Sequence, residues 1–251
     1  MDDHPLDIVR LAWARELGLD DDALAVGGHV DCADEHTSTV RFVWIADASA
    51  LVGPQWLLDR AQDHTRRELT EAGTLLGLTL DHSGRCPGPR TLAYSTEYSA
   101  SPPEPPPLVS HDRADARALE AACPPDDVEN ARLTQRSHWF TIVEDEHSGD
   151  DAHRPVAGAA YDEMQGLIGE LGVLTDPVAR RRGLGATALS IATDELLDDG
   201  LVAGLRWHRE NTAAEALARA RGYDPVGTYI EVSIGPARSP SGHEAEEERS
   251  E

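Results

Sequence analysis

No lysine occurs in the 251 residues, and all 22 basic residues are arginine. Against them stand 46 acids, for a formal net charge of −24. So acidic and lysine-free a surface reads as a solvation device. Near 1 M salt the Debye length falls to ~3 Å and self-repulsion is screened. The composition points to a halophilic, high-salt cytoplasm, with an acidic partner-binding protein as the other reading. It argues against nucleic acid or an anionic membrane as a main partner. Cysteine is scarce: Cys32, Cys86 and Cys123 include no Cys-x-x-Cys pair. An odd count is no disulfide framework and fits a reducing compartment. His29-x-x-Cys32 and His82-x-x-x-Cys86 have metal-like spacing, but no second pair completes a site, so no metal is expected. Met-Asp-Asp-His-Pro lacks the basic and apolar regions of a signal peptide, and no apolar run approaches 18 residues. A cytoplasmic protein without a transmembrane helix is expected.

Apolar residues make up 40% of the chain, carried mostly by Ala, Val and Leu because aromatics are only 5%. That suffices for a sizeable core. Leu6, Val9, Trp13 and Leu17 share a stripe at helical spacing, which predicts a helix from Pro5 to Gly18. Thr39 to Ala46 is β-branched and aromatic and predicts a strand, with Leu51-Val52 beside it. A helix from about Gln55 to Leu69 follows, and the glycine-punctuated residues 73–98 are illegible apart from a strand near Leu92 to Tyr98. Residues 99–107, Ser-Ala-Ser-Pro-Pro-Glu-Pro-Pro-Pro, read as a semi-rigid linker. The expected organisation is an α+β domain over 1–98, this linker, a second domain over 108–235 and a disordered acidic tail over 236–251. The second domain reads strand, two helices, three strands, helix, strand, helix, strand. That is an α+β fold, a mixed sheet with helices on its faces.

The most informative stretch is Glu170 to Ala186, Glu-Leu-Gly-Val-Leu-Thr-Asp-Pro-Val-Ala-Arg-Arg-Arg-Gly-Leu-Gly-Ala. It reads as a strand, a sharp turn and a helix start. Gly183 and Gly185 let backbone approach a ligand, the helix N-terminus offers free N–H groups, and Arg180, Arg181 and Arg182 add charge. This suits the phosphates of an anionic cofactor. The pattern is neither a Walker loop nor Gly-x-Gly-x-x-Gly, and no Gly-x-Ser-x-Gly elbow supports a serine hydrolase.

The stretch resembles the cofactor motif of the GNAT superfamily, the acyl-CoA-dependent N-acyltransferases. That motif is Gln/Arg-x-x-Gly-x-Gly/Ala after a strand ending apolar-x-Val-x-x-x-Pro. Arg180, Gly183 and Gly185 fill the turn, with Leu171, Val173 and Pro177 before it. The later signature Asn-x-x-Ala…Gly-aromatic is met by Asn211, Ala214, Gly222 and Tyr223. The resemblance covers about half the chain. The first 98 residues either shape the acceptor site or form a degenerate half of the same fold.

The resemblance implies an enzyme, a GNAT acyltransferase transferring groups other than aminoacyl groups, with acetyl-CoA or another acyl-CoA as cosubstrate. The acceptor would be a small-molecule or peptide amine, and a homodimer is allowed. The CoA pyrophosphate would lie on the N–H groups of Arg181, Arg182, Gly183, Leu184, Gly185 and Ala186. The pantetheine would add to the strand edge at Val173, Leu174 and Thr175, and Asn211 would contact it or cap its own helix. A backbone N–H near Val173 or Leu174 would polarise the thioester carbonyl. Glu170 is the first candidate for the catalytic base, with Tyr161, Glu163 and His208 behind it. The Tyr that many members place four residues before the Gly-aromatic pair is Ala218 here. That departure motivates one rival, a non-catalytic acyl-CoA sensor; the other is an interaction protein that keeps only the fold.

Overall fold

The computed structural model describes residues 3–25, 27–99, 105–145 and 153–236. Most of the expected linker and the expected acidic tail lie outside these residues. The chain divides into two units, residues 1–26 with 90–227, and residues 27–89 with 228–251.

The chain opens with α1 (Asp3–Glu16), which belongs to the first unit. Val9, Trp13 and Leu17 of its stripe are buried. The second unit follows with β1 (Gly28–Ala33), β2 (Thr39–Ile45) and β3 (Ala48–Gly53). β1 runs parallel to β3, and β2 runs antiparallel to it from Arg41↔Val52 to Ile45↔Ala48. The single helix expected from Gln55 to Leu69 is broken into α2 (Gln55–Ala61) and α3 (Arg66–Leu69). Thr65 and Glu68 cause the break. Their reciprocal capping box satisfies the N-terminal N–H groups of a new helix. α4 (Ala72–Leu78) then occupies a stretch that propensity left open, since two glycines weaken its signal.

The first unit resumes with β4 (Arg90–Ser95), β5 (Leu108–Ser110), α5 (Arg113–Ala121) and α6 (Pro125–Ala131). β6 (His138–Asp145), β7 (His153–Met164) and β8 (Ile168–Thr175) form an antiparallel meander. α7 (Leu184–Asp198), β9 (Val202–His208), α8 (Thr212–Ala220) and β10 (Asp224–Ser233) complete the order. Within the unit the strands run β4-β9-β8-β7-β6-β5, with only β8 and β9 parallel. This is the mixed α+β sheet that the order of elements predicts. Side chains alternate across it. Leu171, Leu205 and Trp207 pack with Ala188, Ala192 and Leu196 of α7 on one face. Leu174 packs with Leu119 of α5 and Ala131 of α6 on the other.

The boundary differs from one at 99–107. β4 pairs antiparallel with β9, from Arg90↔His208 to Ser95↔Ala203, so it belongs to the second-half sheet. Trp13 of α1 donates to the Tyr94 hydroxyl at 2.6 Å, tying the first helix to β4. At the other end, Ile230 and Val232 of β10 join Val40, Phe42, Leu51 and Leu57 in the core of the second unit. That unit draws its last strand from the far end of the chain, which no local pattern reveals.

Candidate functional site

β8 and β9 pair over only four positions, Ile168↔Val202 to Leu171↔Leu205. β8 then continues to Thr175 and β9 to His208 without pairing each other. On its other edge β8 keeps its ladder with β7 as far as Ala157↔Thr175. The carboxyl half of β8 therefore has an edge that β9 has left. A cleft of about 560 Å³ occupies the gap, lined by Val173, Leu174 and Thr175 on one side and Arg206, Trp207 and His208 on the other.

The chain leaves β8 through a short 3-10 turn, Pro177–Ala179, and reaches α7 with Gly183 at its N-cap. Arg181 and Gly183 have φ of 63° and 79°, in the left-handed region. A Cβ on Gly183 would meet nothing within 4 Å, so the glycine serves the backbone angle and not space. At Gly185 space decides. A Cβ there would stand 2.6 Å from Oγ1 of Thr175. Arg180, Arg181, Gly183, Leu184, Gly185 and Ala186 all line the cleft. The first N–H groups of α7 have no intrahelical acceptor and sit at the positive end of its dipole.

The cleft is cationic in a chain with twice as many acids as bases. Arg90, Arg180, Arg181 and Arg206 line it against one acid, Asp127. Arg180 bonds Asp127 at 2.6 Å and the Thr175 carbonyl at 3.3 Å. Such a wall, with a helix N-terminus beside it, suits a phosphate-bearing anion. The Arg182 side chain is not brought in: it pairs with Glu144 of β6 and does not line the cleft. Asn211 lines the cleft while its side chain caps α8 by accepting from the Ala214 N–H at 3.0 Å. Cap and lining residue are one.

Glu170 is 7% exposed and does not itself line the cleft. Its Oε2 pairs with Nε of Arg206 at 2.6 Å, and its buried Oε1 has no hydrogen-bond partner. The Glu170 carbonyl accepts from Arg136. Burial lowers the Arg136 guanidinium from its ordinary value, with Glu170 opposing that shift. His208 lines the cleft, and burial followed by the nearby Arg90 holds it below the usual imidazole value. Tyr161 and Glu163 do not line the cleft. Burial, then the hydrogen bond to Asp199, pushes the Tyr161 hydroxyl up, which unsuits it as a base. Ala218 is 1% exposed and belongs to the core with α7. The residues α8 gives to the cleft, Ala213, Ala214 and Leu217, are apolar.

Arg90, Arg206, Asp127 and Asn130 were not singled out by the sequence. Arg206 carried one usable signal, a charge inside the otherwise apolar Leu201–Trp207 run. Arg90, beside Pro89 and far from the motif, carried none. Among the described residues no helix is long and apolar enough to cross a membrane, and no group of three or more His, Cys, Asp or Glu is placed to hold a metal.

Residues 105–223 match the acetyltransferase (GNAT) family model, just under half of the chain. The resemblance seen in the motifs is borne out over that span. No curated protein matches the chain. Solved structures similar to it include a putative GNAT-family acetyltransferase from Novosphingobium aromaticivorans DSM 12444. It is 18% identical with a TM-score of 0.45, covering 61% of this chain and 68% of that one. A GCN5-related N-acetyltransferase from Kribbella flavida is 23% identical with a TM-score of 0.42, covering 67% and 65%. The ribosomal-protein-S18-alanine N-acetyltransferase from Escherichia coli is 18% identical with a TM-score of 0.36, covering 55% and 97%. Likenesses this distant say nothing of substrate.

Proposed function

We propose that the protein is an acyl-CoA-dependent N-acyltransferase, an acetyltransferase that moves its acyl group to a primary amine by direct attack. The observation that carries this reading is the parting of β8 from β9 beside the N-terminus of α7. The backbone of Val173, Leu174 and Thr175 offers a free strand edge to which an extended pantetheine can add. The N–H groups from Arg181 to Ala186 offer the pyrophosphate its donors, and Arg181 adds charge. The bound thioester supplies the electrophilic acyl carbon. A backbone N–H at Val173 or Leu174 polarises its carbonyl.

Glu170 is the proposed proton acceptor, reached through water because its side chain is buried and does not itself line the cleft. His208, held neutral by its surroundings, is the second candidate. α8 supplies no acid to the leaving sulfur, and none is required: an ordinary thiol has a pKa of ~8.5 and leaves tolerably as thiolate. The acidic, lysine-free composition supports a high-salt cytoplasm as its setting.

Calorimetric titration of acetyl-CoA in multimolar KCl, followed by thiol release against a panel of amines, tests the reading. Absence of binding refutes it. Binding without turnover of any amine moves the protein to an acyl-CoA sensor. Glu170→Gln should lower turnover by about 10²-fold or more, the span of general base catalysis, with little loss of acetyl-CoA affinity. Undiminished turnover removes Glu170 as the base.

A further inference from the structure

β1 is the outer strand of the second unit. Among the described residues it pairs with β3 alone, and the other edge of β3 is taken by β2. The register from Gly28↔Ala48 to Ala33↔Gly53 runs without a bulge. Edge strands are commonly guarded by lysine, proline or a bulge. Gly28–Ala33, Gly-His-Val-Asp-Cys-Ala, has none of these.

The direction of its backbone groups follows from the residue after it. The Asp34 N–H donates to the Gly53 carbonyl of β3 at 2.9 Å. Backbone groups alternate along a strand, so Val30 and Cys32 also turn theirs to β3. His29, Asp31 and Ala33 turn their N–H and C=O groups to the open edge. Such a row is a template for another strand. On the side chains, Nδ1 of His29 lies 2.9 Å from Oγ of Ser49, and its Nε2 lies 3.1 Å from Oδ1 of Asp31. The His29 and Asp31 side chains keep 27% and 43% exposure, so both can meet a strand laid against the edge.

A second copy of β1 fits this edge in one register. Two such edges meet antiparallel about a two-fold axis. Outward groups must meet outward groups, so the axis passes through a residue and not between two. An axis at Val30 or at Asp31 overlaps the strand most fully. At Asp31 it sets two carboxylates directly opposite each other, which is destabilising. At Val30 it sets His29 of each copy opposite Asp31 of the other, and the backbones of both pairs exchange hydrogen bonds. Val30 then meets its own copy across the axis.

We infer that the β1 edge is a self-association surface, on which two copies of this chain pair antiparallel about Val30. The match of His29 to Asp31 selects a second copy as the occupant. The net charge of −24 opposes any such pairing in dilute buffer, and salt screens that repulsion. The inference is independent of the acyltransferase reading.

Sedimentation equilibrium of the full chain in multimolar KCl tests it. The wild type is expected to show a monomer–dimer equilibrium, and a chain that stays monomeric up to about 1 mM overturns the inference. His29→Asp sets acid against acid in both symmetric pairs and should weaken the dimer about tenfold or more. Adding Asp31→His exchanges the two groups, restores each opposite pair and should restore the dimer. Circular dichroism establishes that the variants fold. A folded His29→Asp protein that dimerises like wild type, or a folded double variant that does not recover, refutes the register. Cross-linking decides if either variant unfolds. In a Cys32→Ser background, Val30→Cys puts two thiols across the axis at a non-hydrogen-bonded pair, with Cα atoms ~4.5 Å apart and within disulfide reach. Oxidation should give a covalent dimer bonded at position 30 by mass spectrometry. A dimer bonded only through Cys86 or Cys123, or no covalent dimer, overturns the inference.

Discussion

Replacing Gly185 by alanine tests whether the start of α7 is fitted to β8. The new Cβ would lie 2.6 Å from Oγ1 of Thr175, while Cγ1 of Val173 at 3.8 Å and Cβ of Thr175 at 3.9 Å are ordinary contacts. One hydroxyl is thus the whole obstacle. Rotating it away or shifting the helix costs about 1–3 kcal/mol, as for other overpacked sites. Alanine regains up to ~0.5–1 kcal/mol of helix propensity over glycine, less in a first turn. The net loss is then about 1 kcal/mol, or roughly 2–4 °C in Tm. Thr175→Ala deletes the obstructing oxygen. In that background Gly185→Ala should cost nothing, so the cycle yields a coupling of about 1–3 kcal/mol. Denaturant unfolding of the four proteins measures it, and acetyl-CoA calorimetry on the same samples separates fit from binding. Gly185→Ala should weaken acetyl-CoA about tenfold or more, because it disturbs the helix start and strand edge that the proposed function assigns to one ligand. A Gly185→Ala protein as stable as wild type, uncoupled to Thr175→Ala, would refute the packing argument. Equal acetyl-CoA affinity in all four would refute Gly185 as part of the phosphate cradle.

Gly183→Ala probes angle without space, since φ is 79° and nothing crowds the missing Cβ. It should cost about 1–2 kcal/mol by thermal unfolding, and an unchanged Tm would show that the loop does not hold the left-handed conformation. Trp13→Phe removes the 2.6 Å donor to the buried Tyr94 hydroxyl. A loss of about 2–4 kcal/mol in denaturant unfolding is expected from an orphaned hydroxyl and a smaller ring, and no loss would contradict the α1–β4 contact. His208 has a lowered folded pKa, so the folded protein binds fewer protons there than the unfolded chain. Its share of stability is present above the unfolded value of ~6.5 and is lost as pH falls through that value toward the folded one. His208→Asn should flatten the wild-type decline in that window, and superimposable pH–stability profiles would rule the shift out.

Much of the site was legible because it is local. The strand, the turn and α7 are consecutive, so Val173, Gly183 and Gly185 could be read from spacing and from what glycine permits. Asn211 was legible for the same reason: a cap and the helix it caps are neighbours in sequence. Arg182 reads as equivalent to Arg180 and Arg181 in a row of three. Only the position of Glu144 on β6 turns its side chain elsewhere. The break at Thr65 was readable as Thr-x-x-Glu, but the apolar periodicity on both sides masked it.

The amino-acid order by itself determined the family motif, the order of elements in the second half and the acidic, lysine-free surface. Each is written in neighbouring residues or in bulk composition. Tertiary structure decided what lies across from what. It set β4 beside β9, and so put Arg90 on the cleft wall. It gave Ile230 and Val232 to the core of residues 27–89. It paired Glu170 with Arg206, 36 positions further on, and left one carboxylate oxygen without a donor. Contacts between distant strands follow from register and sheet order, fixed only when the whole apolar surface is buried together. The proposed cofactor cradle is therefore local and readable, while the arginine-bearing strand wall opposite it exists only in the folded sheet.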